Sequence, residues 1–313
     1  MQQSLLRTGT DVAEFLRENG LFLSRRRLRS LGVSDFEIEQ ALSDRTIFRV
    51  RQGWYSLPDA SPVAIEAVRI GGRLTGESAL ASYGIWVRPK RQEEVLVRGN
   101  ANELRRPADS RRRLAHPDAE RWRVFWSRAT PMGGDTWRVS LMDALGHLLA
   151  TSTREVAVAC IDSALNRSMR GHDGVSVADL DTLFDRAPKR VARWRSDVDG
   201  RAEAGGETLL RLLCRDNGIP FEPQVTLPGV GRLDGRIGPS TFVEADGAVW
   251  HDSESSFHVD RDRDLVATIW GGRVLRFGYS QILYEPEYCL TAMEAALSRD
   301  GVLSGASRRR SPL

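Results

Sequence analysis

Residues 233–277 read LDGRIGPSTFVEADGAVWHDSESSFHVDRDRDLVATIWGGRVLRF. Asp234 ends one short apolar segment, and Glu244 and Asp246 end the next. Carboxylates beside apolar strands cost free energy unless a cation compensates them. Between the segments, Gly235, Gly238 and Pro239 supply hairpin chemistry. Strand alternation puts Glu244 and Asp246 on one face and Ala245 on the other, and a hairpin register can bring Asp234 opposite that pair. Three converging carboxylates suit a hard divalent cation, Mg²⁺ or its substitute Mn²⁺, held by Asp234, Glu244 and Asp246. Reading outward, GETLLRLLCRDNGI (206–219) predicts an amphipathic helix opening near Glu207, and PQVTL a strand before the acidic pair. FHVDRDRDLVATIW then predicts a helix, and RVLRF a late buried strand on which Arg276 is placed to orient a site carboxylate.

The order helix, three strands, helix, strand resembles the core of PD-(D/E)xK nucleases. More closely, DGAVWH followed by DRDRD and RVLRF resembles the very-short-patch-repair endonuclease-like branch, over about the last hundred residues. The resemblance implies a magnesium-dependent endonuclease fold. It gives Asp234 the place of the strand aspartate that binds metal and Glu244 that of the glutamate following it. Glu207 resembles the helix acid that helps to hold metal-bound water, and His251 the histidine after the tryptophan. Asp246 falls where the broader superfamily has lysine, so a carboxylate there must bind metal or act as a base. By this resemblance Glu207, Asp234, Glu244, Asp246 and His251 are the candidate catalytic residues.

At the other end, DVAEFLREN, RRRLRSLGV and SDFEIEQALSDRT predict three short helices, the second and third opening at Ser24 and Ser34. Phe36, Ile38, Ala41 and Leu42 are available for burial in the third. Two β-like runs, 47–51 and 54–57, follow around Gln52-Gly53 as in a hairpin. Three helices and a hairpin describe a winged helix-turn-helix that meets double-stranded DNA through Arg25, Arg26, Arg27, Arg45, Arg49 and Arg51. Winged helices also serve as protein-interaction modules. Asp35, Glu37 and Glu39, read as exposed on the third helix, would repel phosphate. The stretch LSRRRLRSLGVSDFEIEQALSDRTIFRVRQGWYSL (23–57) resembles the N-terminal domain of AbiEi-type antitoxins, which implies transcriptional autoregulation and a cognate toxin as partner.

Residues 62–198 carry no catalytic constellation. GESALASYGIWV reads as a helix running into a strand, VLVRG and WRVFWS as strands, and SLMDALGHLLA and EVAVACIDSALNRSM as helices. The Arg105–Arg113 loop between the two strands is open to two readings, phosphate contact or a solvated loop.

The expected fold class is a multidomain α+β / α/β chain. It comprises a winged helix-turn-helix (1–60), an α+β middle domain (61–200), a restriction-endonuclease-like α/β domain with a mixed sheet (201–300) and a tail (301–313). The 313 residues are 41% hydrophobic and 28% charged, as in ordinary globular protein. The net +3 conceals an asymmetry, with +7 over residues 1–140 and −4 over 141–313, so the front half is the one drawn to polyanions. No apolar run spans a bilayer and no signal peptide is visible, so a cytoplasmic location without a membrane partner is expected. Cys160, Cys214 and Cys289 read as reduced core residues. Two functions compete: a Mg²⁺-dependent endonuclease in phage defence or toxin–antitoxin biology, and an antitoxin-like regulator with an inactive nuclease fold.

Overall fold

The computed structural model describes residues 9–89, 92–128, 134–246, 268–269 and 271–302. Contacts divide it into two units, Met1–Gly84 with Pro89–Leu148, and Ile85–Arg88 with Leu149–Leu313. The stretch 61–200 is thus shared between two units, where a separate middle domain was expected. The whole is mixed α+β, with three small sheets among the described residues.

The first unit opens with α1 (Gly9–Glu18), β1 (Leu23–Ser24), α2 (Arg25–Ser30), α3 (Asp35–Ser43), β2 (Phe48–Arg51) and β3 (Trp54–Ser56). Both predicted helix starts are capped. Ser24 Oγ accepts from the Arg27 N–H. Ser34 forms a capping box in which Glu37 Oε2 accepts from the Ser34 N–H at 2.6 Å and from its hydroxyl at 2.7 Å. Glu37 is therefore a buried cap and not an exposed charge. Val12, Leu16, Leu28, Ile38, Ala41, Ile47 and Tyr55 meet in one core, each aliphatic chain contributing about 1.5–3 kcal/mol. Phe36, expected in that core, is instead 66% exposed. The turn joining β2 to β3 passes through Gly53 at φ +70°, a conformation glycine adopts without a Cβ clash. The strand order is β1-β3-β2.

The same unit continues through α4 (Pro62–Ile70), β4 (Arg73–Leu74), α5 (Gly76–Ser82), β5 (Glu93–Arg98) and β6 (Trp122–Ser127). Its sheet runs β4-β5-β6, with β5 and β6 parallel. The strand expected after GESALASYG is absent among the described residues, where 85–89 are irregular. The arginine-rich loop is held by carboxylates: Glu103 pairs with Arg105 and Arg113, and buried Asp118 with Arg106 at 3.1 Å. Helix α6 (Leu141–Thr151) follows.

The second unit contains α7 (Arg154–Met169), α8 (Val177–Arg186), α9 (Gly205–Asp216), β7 (Glu222–Leu227), β8 (Gly231–Arg236), β9 (Thr241–Asp246), β10 (Arg273–Gly278), α10 (Tyr279–Tyr284) and α11 (Pro286–Arg299). Its sheet runs β10-β9-β8-β7, antiparallel except for β9 with β10. One face meets α9 and α11 through Leu209, Leu210, Val243, Phe277, Met293 and Leu297. A smaller cluster joins Val230, Leu233 and Phe242, with Val225, Leu227 and Val274 packed on it.

Helices α7 and α9 are tied by a buried ion pair. Asp162, fully buried, accepts from Arg211 Nη2 at 2.7 Å, the Thr208 hydroxyl at 2.8 Å and the Asp199 N–H at 2.7 Å. Burial pushes the Asp162 carboxyl up while Arg211 opposes it. At the start of α9 a Cβ on Gly205 would lie 2.2 Å from the Trp86 ring, so only glycine lets the helix sit this deep. All three cysteines are buried thiols outside any disulfide. No described helix is long and apolar enough to cross a membrane.

Candidate functional site

The first turn of α9 delivers Glu207 to the sheet. Glu207 accepts from the backbone N–H of Glu203 (3.1 Å) and Ala204 (3.0 Å) and from Gln224 Nε2 (2.6 Å). Those bonds favour the charged form, yet the Glu207 carboxyl is pushed up to about 7, by burial first and then by the nearby Asp234 charge. Gln224 had no sequence signal beyond being one of the two polar residues of PQVTL. It stands on β7 at φ +57°, rare for a residue with a Cβ, and its Oε1 is buried without a hydrogen-bond partner.

Asp234 lies on β8 where the pairing with β9 ends. The ladder matches Arg236 to Phe242 and Gly235 to Val243, and the next rung would set Asp234 against Glu244. Instead Asp234 Oδ2 accepts from the Ala245 N–H at 2.8 Å, one residue further on. Burial raises the Asp234 carboxyl. The Ala245 N–H opposes the rise, while the charges of Asp246 and Glu203 add to it. Glu203, also missed from sequence, is paired with Arg170 and Arg232.

Glu244 is buried on β9, and Arg276 stands beside it in register on β10. Arg276 Nη1 lies 2.6 Å from Glu244 Oε2 and 3.4 Å from Asp246 Oδ1. The arginine does orient the site carboxylates, as RVLRF suggested, but in doing so it places a guanidinium between the two acids expected to grip a metal. Asp246 remains half exposed at the strand end.

The expected Asp234–Glu244–Asp246 cage is not seen among the described side chains, and Arg276 stands between Glu244 and Asp246. Among the described residues no group of three or more His, Cys, Asp or Glu is arranged to hold a metal ion. The donor chemistry agrees: one Asp234 oxygen is engaged by a backbone N–H, and Glu244 and Asp246 share a fixed cation. These side chains do not fit Mg²⁺ as they stand. His251 and Trp250, together with the acid–base run Asp260–Asp264, lie outside the described residues.

The six arginines expected at nucleic acid separate into three groups. Arg25 faces α3, bonding Asp35 Oδ1 at 2.9 Å with Glu39 at 3.7 Å, and the Arg25 hydrogen bond holds the Asp35 carboxyl down. It neutralises the acids that would repel phosphate, with its side chain partly exposed. Arg51 is half-buried, turned into the first unit beside Trp54. Arg26, Arg27, Arg45 and Arg49 are exposed. Arg45 holds a left-handed φ of +56° at the end of α3, and Arg49 stands 6.0 Å over the Tyr55 ring.

No protein-family model and no curated protein sequence matches this chain.

Proposed function

We propose that this chain is a DNA-binding regulator in which residues 9–56 form a winged helix-turn-helix. On this reading the second unit carries a restriction-endonuclease-like sheet used for binding or assembly and not for cleavage. The order α1-β1-α2-α3-β2-β3 with a β1-β3-β2 sheet supports the first part. Helix α3 presents Gln40, Ser43 and exposed Phe36, its flanking acids answered by Arg25. Arg26, Arg27, Arg45 and Arg49 supply the phosphate contacts. The likeness of 23–57 to AbiEi-type antitoxins makes a cognate toxin the expected protein partner, in the cytoplasm.

The observation that carries the regulator reading over hydrolysis is the Arg276 bridge to Glu244 and Asp246. It places a permanent positive charge where an endonuclease of this kind would need its cation. Hydrolysis of phosphodiester bonds, the second reading, draws on a different observation. Burial and the Asp234 charge raise the affinity of Glu207 for a proton, and the adjacent Gln224 Oε1 is a buried oxygen without a hydrogen-bond partner.

Supercoiled plasmid incubated with the full chain and Mg²⁺ separates the two. Retarded but uncut plasmid, with retardation lost in Arg26→Ala/Arg27→Ala, supports the regulator. Cutting that disappears in Asp234→Ala establishes the nuclease and removes the regulator reading.

A further inference from the structure

The parallel strands β5 and β6 end at a cavity of about 1060 Å³ that lies wholly within the first unit. Ligands of open α/β sheets gather at the carboxyl ends of parallel strands, and this cavity is lined by such ends: Arg98 at the end of β5 with Asn100 beyond it, and Ser127 at the end of β6 with Arg128 beyond it. Arg51 and Trp54 close it from the β2–β3 hairpin, and Arg73 from β4. Four arginines thus converge on one cavity whose lining holds no aspartate or glutamate. Among the described residues, no carboxylate pairs with Arg51, Arg98 or Arg128.

Arg51, Arg98 and Arg128 gathered without a carboxylate partner among the described residues are costly, and half-buried Arg51 bears that cost most. Burial, and behind it the Arg105 guanidinium, lower its hold on the proton. Such an arrangement persists where an anion completes it. Arginine forks match phosphate oxygens bidentately, and the half-buried Trp54 ring offers a flat surface for a base. The size is at the upper end of small-molecule sites, about 300–1,000 Å³, which suits a nucleotide better than a lone phosphate ion.

We propose that this cavity binds a phosphate-bearing ligand of nucleotide size, free or as the end of a nucleic-acid strand. Arg98 and Arg128 grip the phosphates at the rim, and Arg51 with Trp54 holds the inner part. The site does not depend on the contacts by which 9–56 is read to meet duplex DNA, since Arg26 and Arg27 do not line it.

The test is calorimetric titration of the full chain at low salt with ATP, with adenosine and with a 5′-phosphorylated single-stranded oligonucleotide. Saturable one-to-one binding of ATP, at least about tenfold tighter than adenosine, is expected. Arg98→Gln/Arg128→Gln, at exposed positions, should weaken it at least about tenfold while melting like the wild type. Arg51→Gln should do the same from the inner wall, and Arg26→Ala/Arg27→Ala should leave it unchanged. Binding of ATP identifies a free nucleotide as the ligand, and binding of the phosphorylated strand alone identifies a strand end. Failure of both to bind folded protein, binding of adenosine as tight as ATP, or indifference to the Arg98/Arg128 change would overturn the proposal.

Discussion

Replacing Glu207 by glutamine isolates the electrostatic cost built into the second unit. The wild-type carboxyl is moved from its ordinary 4.5 to about 7 by burial and the Asp234 charge. Each pKa step is worth about 1.4 kcal/mol, so the shift corresponds to about 3 kcal/mol. The residue is only 7% exposed, so solvent screening takes little from that figure. Because the folded-state value is raised, the folded form holds a proton that the unfolded chain has already released between about pH 4.5 and about pH 7. Stability should fall as pH rises through that window and stay low above it. In Glu207→Gln the amide cannot ionise, so this contribution to the pH dependence is removed. Urea unfolding of wild type and variant, from about pH 5 to about pH 8, gives the difference directly, since groups common to both cancel. The wild type should lose about 2.5 kcal/mol more than the variant across the range, since whatever the lost acceptor oxygen costs glutamine shifts the variant equally at every pH. Parallel pH profiles would show that Glu207 is solvated or already compensated, and the description of the cluster as a strained set of acids would be wrong.

Asp162→Ala removes one half of the buried pair with Arg211 and should destabilise the second unit by about 3–5 kcal/mol in urea; a loss within the range of a surface mutation would show that water reaches Arg211. Arg26→Ala/Arg27→Ala should reduce the slope of log affinity against log salt for duplex DNA by about 2, and an unchanged slope would remove those residues from the phosphate contacts. Burial pushes the Cys214 thiol up to about 12, so it should resist a disulfide reagent in native protein near pH 8 and react on unfolding. Rapid native labelling of Cys214 would contradict its burial on the face of α9 that meets Met293 of α11.

Local signals carried much of this structure. Ser24 and Ser34 announced α2 and α3 because a side-chain oxygen before an apolar period satisfies orphan N–H groups wherever it occurs. Gln52-Gly53 announced the hairpin, and the sequence around Glu207, Asp234 and Glu244 announced a helix and two strands, all within a few residues of the signal. Partner choice was not legible in the same way. Glu37 looks like a surface acid until its capping box buries it, and Arg25 looks like a phosphate contact until α3 brings Asp35 against it. Asp234 missed its expected rung because the β8–β9 ladder stops one pair earlier, and nothing in LDGRIGPSTFVEAD encodes that stop. The convergence of Arg51, Arg73, Arg98 and Arg128 joins residues up to 77 positions apart, beyond the reach of periodicity.

The claim on which the functional reading turns is that Arg276 is the cation of the second unit's carboxylates. Electron paramagnetic resonance of Mn²⁺ titrated into the full chain measures this without reference to any activity. Free-ion spectra with no stoichiometric site are expected for the wild type. One tight Mn²⁺ per chain, lost in Asp234→Ala or Glu244→Ala, would show that the guanidinium yields to a metal and would contradict that claim.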